Sequence, residues 1–318
     1  MPAKKPTKVA GAAASEIRKD YYRENYVIIS PKRNLRPNTF SHETEPHCVP
    51  DMDCPFCGSH ETVLVAIPDR KNWKVRVVPN AFPALTILNT KAFGVQEVII
   101  ETPDHDNEFS DLPVADIMDV FTAFRHRLIN LKKIPGIRYV LVFKNDGPMA
   151  GASISHAHSQ VIALPMIPPH IESESNALVH YQEDHGNCAY CDIIAWEENQ
   201  KVRVVWADKN MVAVAPYAAS AGFGLWIIPR RHKRLFTDLT ATELRSLAVM
   251  LKEACTKLDA ASISFNYFLQ ESIPHLDNHF VLKIEPRLFK YAGAELGTGV
   301  IINPVPPEYA AKWYQGKA

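Results

Sequence analysis

Gly151-Ala-Ser-Ile-Ser-His156-Ala-His158-Ser-Gln160-Val-Ile-Ala-Leu-Pro165 is the stretch from which the rest of the chain is best read. Side chains two apart on a strand share a face. His156, His158 and Gln160 should therefore project together, with Val161 to Leu164 anchoring the strand. Two imidazoles and an amide are costly to bury unless each finds a partner. Alone, the pattern fits a histidine-bearing edge strand equally well, and only the rest of the chain separates structure from chemistry.

The 318 residues suffice for two ordinary domains, and a 47% hydrophobic content supports a substantial core. Lys+Arg and Asp+Glu both number 35, so the net charge is zero. That balance argues against a nucleic-acid partner, which calls for a basic excess. No apolar run reaches membrane-spanning length, so no membrane partner is expected. Met1 to Ser15 is rich in Lys and Ala without the apolar core of a signal peptide. We read residues 1–16 as a disordered tail and the protein as cytoplasmic. Four of the six cysteines form two Cys-x-x-Cys pairs, Cys54/Cys57 and Cys188/Cys191. In a chain without a secretion signal this spacing favours zinc over disulfides. Cys255 falls in an apolar helical pattern and reads as core; Cys48 is undecided.

The two halves echo one another. Cys54-Pro-Phe-Cys57 is answered by Cys188-Ala-Tyr-Cys191, and Val75-Arg-Val-Val78 by Val202-Arg-Val-Val205. Phe93-Gly94 leads to Ile99-Ile100 and His105 as Phe223-Gly224 leads to Ile227-Ile228 and His232. Phe109-Ser-Asp-Leu112 and Phe236-Thr-Asp-Leu239 then precede helical apolar spacing, with Asp111 and Thr240 as candidate N-caps. Tyr26 to Ser30, Gly94 to Glu101 and Tyr139 to Phe143 read as strands, and Lys144-Asn-Asp-Gly147 as a turn. The expectation is an α+β protein with an internal duplication, each half an antiparallel sheet plus one long helix. The halves span residues 17–170 and 171–318, joined through a linker from Pro165 to Asn187. Ala292 to Pro307 reads as a Gly- and Pro-bearing loop.

The duplication organises the chemistry. Zinc takes four tetrahedral ligands, usually thiolate and imidazole. The first half offers Cys54, Cys57, His105 and His156. His47, Cys48 and His60 are local rivals, but His105 is preferred because it matches His232 in the repeat, while nothing in the second half matches His47. The second half offers Cys188, Cys191, His232 and either His279 or His275. This assignment uses His156 and leaves His158 beside a metal ligand, available as a nucleophile whose phosphoryl adduct is labile enough to pass on. Gln160 can donate an amide hydrogen to a phosphate oxygen but cannot act as a base. Asn145 and Ser153 can donate further bonds. The loop Pro31 to Pro37, with Lys32, Arg33 and Arg36, reads either as a solvated basic turn or as a phosphate grip.

Ile17-Arg-Lys-Asp20, Pro31-x-Arg33-x-x-Arg36-Pro37, Cys54-x-x-Cys57, Val78-Pro-Asn80, Pro103-Asp-His105 and His156-x-His158-x-Gln160 together resemble the galactose-1-phosphate uridylyltransferase family, of the histidine-triad-like superfamily. The resemblance implies that His158 carries a nucleotidyl group between a nucleotide sugar and a hexose 1-phosphate while Gln160 holds the intermediate. It places Arg33, Arg36, Asn80, Asn145 and Ser153 at the nucleotide and its phosphates. It implies two zinc ions, the second replaceable by another divalent metal such as iron, and a homodimer. The family's commonest activity sets the expected donor as UDP-glucose and the acceptor as galactose 1-phosphate. The chain departs from the common pattern with Ala157 between the histidines. In the sugar-binding run, Lys290 and Glu295 can be placed, but Ala294 stands where a tyrosine is usual. Cys188/Cys191 with His232 and His279, and the run Ala292 to Pro304, are similar instead to the branch with ADP-glucose phosphorylase. That makes an adenylyltransferase the alternative; a non-catalytic zinc-stabilised nucleotide-binding module is the alternative of another class.

Overall fold

The computed structural model describes residues 15–23, 25–30, 54–58 and 62–318. Most of the expected tail, the basic loop with Lys32, Arg33 and Arg36, and His47, Cys48 and His60 lie outside the described residues. Residue 16, expected to end the tail, instead opens strand β1 (Glu16–Lys19). It pairs with β2 (Tyr26–Ile29).

The first half then runs β3 (Val65–Ile67), β4 (Val75–Pro79), β5 (Val95–Ile100), α1 (Val114–Leu131), β6 (Tyr139–Asp146) and β7 (His158–Leu164). Helices α2 (Pro169–His185) and α3 (Ala189–Gln200) follow. The second half repeats the series as β8 (Val204–Ala207), β9 (Met211–Val214), β10 (Leu225–Pro229), α4 (Ala241–Ala260), β11 (Phe265–Gln270) and β12 (Val281–Pro286). The chain continues through α5 (Gly293–Thr298), β13 (Ile301–Asn303) and α6 (Pro307–Tyr314). Ala292 to Pro307 is therefore largely structured: Glu295 accepts from the Ala292 N–H to start α5, and β13 pairs parallel with β2.

The duplication is plain in the sheet order, β3-β4-β5-β7-β6-β11-β12-β10-β9-β8. Read outward from the centre, each half is the mirror of the other. β6 and β11 join them antiparallel, from Phe265 opposite Asp146 to Phe268 opposite Phe143. That seam explains why β6 runs on to Asp146, through residues that read as a turn: β11 supplies a partner strand for them. Val75-Arg-Val-Val78 lies on β4, next to β5, whereas Val202-Arg-Val-Val205 runs into the outermost strand β8. The two matching tetrapeptides occupy different places in the two halves.

Helices α1 and α4 cover one face of the sheet. Ile117, Val120, Phe121, Phe124, Leu128 and Leu131 recur every three or four residues on α1 and pack with Leu244, Leu247 and Leu251 of α4 over the sheet. Thr240 caps α4, accepting from the Glu243 N–H while the Glu243 carboxylate accepts from the Thr240 N–H. Asp111 does not cap α1, because Pro113 occupies the N-cap position. Asp111 instead closes a short 3-10 turn, accepting from the Glu108 N–H, and Asp238 does the same for Leu235. The opposite face of the second half is covered by α2 and α3, which bring Leu178, Tyr190, Ile193 and Ile194 against Val212, Val214, Trp226 and Val281. The expected linker is thus mostly helix α2, whose buried side chains include Glu174 and Ser175 beside Ile171 and Leu178.

Candidate active site

On the first half, the face opposite α1 carries the Cys54–Cys57 turn, with Cys54 and Phe56 packed on Val78, Val98 and Ile100. Arg76 of β4 braces that turn, donating to the carbonyls of Phe56 (2.9 Å) and Gly58 (3.1 Å). Cys57 Sγ lies 3.2 Å from His105 Nδ1 and 3.3 Å from His156 Nδ1, and Cys54 Sγ lies 3.7 Å from His156 Nδ1. A tetrahedral ion at ordinary Zn–S and Zn–N bond lengths sets sulfur and nitrogen about 3.6 Å apart. The four donor atoms sit within 4.8 Å of one another, so the set fits such an ion. His156 Nε2 bonds the Thr102 carbonyl at 2.8 Å, which points Nδ1 at the two cysteines, where it could ligate a metal ion. His105 stands in the loop after β5, nine residues before α1.

The second half repeats this. Cys191 Sγ is 3.6 Å from His279 Nδ1 and 3.8 Å from His232 Nδ1, and Cys188 Sγ is 3.8 Å from His279 Nδ1. His279 Nε2 bonds the Pro229 carbonyl at 2.9 Å, as His156 bonds Thr102. His279, not the exposed His275, completes the set. The hydrogen bond between the two thiols, aided by the nearby His279, pulls Cys188 down to about 3, and the same hydrogen bond to Cys188 pushes the Cys191 thiol up. Two thiol sulfurs and two imidazole nitrogens within bonding reach of one point are a donor set that suits a zinc-like cation. None of the described cysteines forms a disulfide.

His158 opens β7, and His156 stands just before the strand. Ser159, facing the other way, donates to Glu101, and Val161 and Ala163 enter the core under α1, so His158 and Gln160 face away from that helix. His158 Nδ1 bonds the His156 carbonyl at 2.8 Å. As the carbonyl only accepts, the proton is on Nδ1 and Nε2 carries the lone pair. Burial, then the Lys144 ammonium, hold this imidazole down at about 4, so it is neutral at pH 7. The Phe56 ring lies 5.0 Å from it, centroid to centroid. Behind β7, Lys144 donates to Glu101 (2.8 Å) and to the His158 carbonyl (3.2 Å).

Gln160 lies opposite Phe143 of β6 and opposite Val98 of β5. Carried two residues on, the first register brings Asn145 to His158 on the same face. Asn80 follows β4 and accepts from the Phe82 N–H; its own N–H donates to Gln96. Ser153 is exposed in the segment leading to His156. Lys290 and Glu295 line a separate cleft with Arg287, Tyr291 and Asn303. Sequence reasoning missed Phe56, Arg76, Glu101 and Lys144. Phe56 had a signal, as an aromatic inside a Cys-x-x-Cys pair; the Glu101–Lys144 pair had none, because only strand pairing brings it together.

The second half lacks this chemistry at the matching places. Counting from His279 as from His156, Val281 stands for His158 and Lys283 for Gln160. Lys283 donates to the buried Glu174 of α2 at 2.6 Å, and Tyr190 and Trp226 pack with Val281.

Two equivalent antiparallel units with paired Cys/His clusters make this a duplicated histidine-triad-like α+β fold. Residues 88–168 match the family model for the N-terminal domain of galactose-1-phosphate uridyl transferase. The chain is 36% identical to the ADP-glucose phosphorylase of Arabidopsis thaliana over 93% of this chain and 91% of that protein. It is 27% identical to the galactose-1-phosphate uridylyltransferase of Thermotoga maritima, over 93% and 96% respectively. A crystal structure of an Arabidopsis thaliana ADP-glucose phosphorylase with bound ADP-glucose superimposes with a TM-score of 0.84 at 34% identity, covering 95% of this chain and 98% of that one. The chain belongs to the galactose-1-phosphate uridylyltransferase family of nucleotidyltransferases, with features of the branch that includes ADP-glucose phosphorylase. Among the described residues no helix is long and apolar enough to cross a membrane.

Proposed function

We propose that the chain transfers an adenylyl group from ADP-glucose to phosphate through a covalent bond to His158. The observation that carries the mechanism is the bond from His158 Nδ1 to the His156 carbonyl, which leaves Nε2 unprotonated. In the first step the Nε2 lone pair attacks the α-phosphorus, the bond to the bridging oxygen breaks, and glucose 1-phosphate leaves. In the second, a phosphate oxygen attacks the same phosphorus, the N–P bond breaks, ADP leaves and His158 is neutral again. Gln160 and Asn145 donate amide hydrogens to the phosphate oxygens, and Ser153, Asn80, Arg33 and Arg36 are further contacts to the nucleotide. Lys290 and Glu295 line a cleft apart from His158 in the same chain, so they would reach the sugar at the site of the other subunit of the homodimer.

Both Cys/His clusters are assigned to zinc, the second open to another divalent metal such as iron. A closed four-ligand zinc stabilises the local fold rather than reacting. In the first cluster the residues Cys54, Cys57, His105 and His156 would fix Phe56 against His158. The halves divide at 170/171, and the assembly is a homodimer in the cytoplasm.

The choice of adenine over uracil is supported by the higher identity to the ADP-glucose phosphorylase, 36% against 27%. The uridylyl reading, UDP-glucose with galactose 1-phosphate, is kept because the family model and the second relative carry that name. Turnover of the two donors, each with phosphate and with galactose 1-phosphate, separates them. ADP-glucose with phosphate should give the highest kcat/KM; a preference for UDP-glucose with galactose 1-phosphate would reverse the assignment.

A further inference from the structure

The seam between the halves contains a chain of polar contacts that ends at the proposed site. Asn266 of β11 lies directly opposite Asn145 of β6. Its Nδ2 donates to Asn145 Oδ1 at 2.8 Å and to the Ala150 carbonyl at 2.9 Å. Its Oδ1 accepts from Arg287 Nε at 2.5 Å. Ser264, two residues earlier, accepts from the Met149 N–H at 3.3 Å. It also presses on Gly147, where a Cβ would lie 2.4 Å from its Oγ and φ is +76°. The second half thus grips the turn between Asn145 and the His158 strand.

These partners fix which way each amide points. A guanidinium can only donate and a backbone carbonyl can only accept. Arg287 therefore claims the oxygen of Asn266, and Ala150 claims one of its N–H bonds. The other N–H meets Asn145, whose oxygen must be the acceptor. Asn145 is left with its Nδ2 donors for other acceptors, on the sheet face that carries His158 and Gln160. With the opposite amide orientation Asn145 would turn an oxygen lone pair towards an anionic phosphate.

We propose that Asn266, a residue of the non-catalytic half, is a positioning residue for nucleotidyl transfer: backed by Arg287, it locks the Asn145 amide with its donors towards the phosphates of the nucleotide. The proposal rests on the functional reading above. It makes the second half a working part of the site, where its own Val281 and Lys283 preclude a second nucleophile.

A double-mutant cycle tests it, with ADP-glucose and phosphate as substrates, or UDP-glucose and galactose 1-phosphate if the wild type prefers them. Asn266→Asp keeps the shape and the Arg287 partner but has no donor, so Asn145 turns its own N–H towards it. We expect kcat/KM to fall about 10- to 100-fold, the range of a lost charge-assisted hydrogen bond, with Asn145→Ala falling similarly. In the Asn145→Ala background Asn266→Asp should then cost less than about twofold, because its effect passes through Asn145. Asn266→Ala runs through the same cycle if the aspartate variant does not fold. Equal losses in both backgrounds would mean that Asn266 only holds the Ala150 turn, and would overturn the proposal. So would an Asn145→Ala variant with full activity. Absence of transfer by the wild type would instead refute the functional reading, and the proposal with it.

Discussion

Lys144 is fully buried yet ionised, held above its ordinary pKa by Glu101 and Asp146 against the cost of burial. Its partner Glu101 is equally buried and takes further hydrogen bonds from Ser159 and Tyr267. Removing one member of such a pair strands the other charge, at a cost of about 3–5 kcal/mol, whereas removing both is far less costly. Lys144→Met should therefore destabilise the metal-loaded protein by that amount in urea unfolding, and Glu101→Gln with Lys144→Met should recover most of it. A loss within about 1 kcal/mol for the single variant, the range of an exposed pair, would show that the charge is not held where β6 and β7 place it. Because Lys144 also bonds the His158 carbonyl, the same residue links core electrostatics to the strand that carries His158.

At the scale of elements, the 3-10 turn before α1 meets the end of β6 and the end of α4, and the meeting is acidic. Burial, then Asp146, raises the Glu108 carboxyl to about 7, and burial, then Asp146, raises Asp259 to about 6. A raised folded-state pKa favours the protonated form. The stability it contributes is complete below the ordinary value of 4.5 and is lost as pH climbs through about 7. Glu108→Gln should thus flatten the decline in thermal midpoint between those limits, leaving a smaller slope from Asp259; wild-type and variant profiles that run parallel would contradict it. Elements formed by apolar period were legible in the sequence, α1 and α4 above all. Those formed by tertiary partners were not. The last three residues of β6 are polar and become strand only because β11 lies beside them, and α2 buries Glu174 against Lys283, a match that no helical period announces.

For the whole molecule, one fold has been used twice with different side chains at the matching places. Both Cys/His clusters were legible because Cys-x-x-Cys pairs and histidines repeat at matched places, and His158 was singled out because it stands two residues from one of them. The Val-Arg-Val-Val match looked like equally good evidence and was a coincidence, since Arg76 braces a cysteine turn while Arg203 pairs with Glu197 and Glu308. The cross-half contact at Asn145 was invisible, because it needs the seam. The first half keeps an imidazole with a free lone pair on its outer face, and the second fills the matching place with Val281, Lys283 and Tyr190. The most direct test of this asymmetry is to incubate the metal-loaded protein with ADP-glucose, and separately with UDP-glucose, without acceptor, and to map any adduct by mass spectrometry. The account predicts one nucleotidyl group per chain, on His158, discharged by acceptor and absent from a His158→Ala variant that keeps its fold and both metals. An adduct on another residue, or normal turnover by His158→Ala, would contradict it.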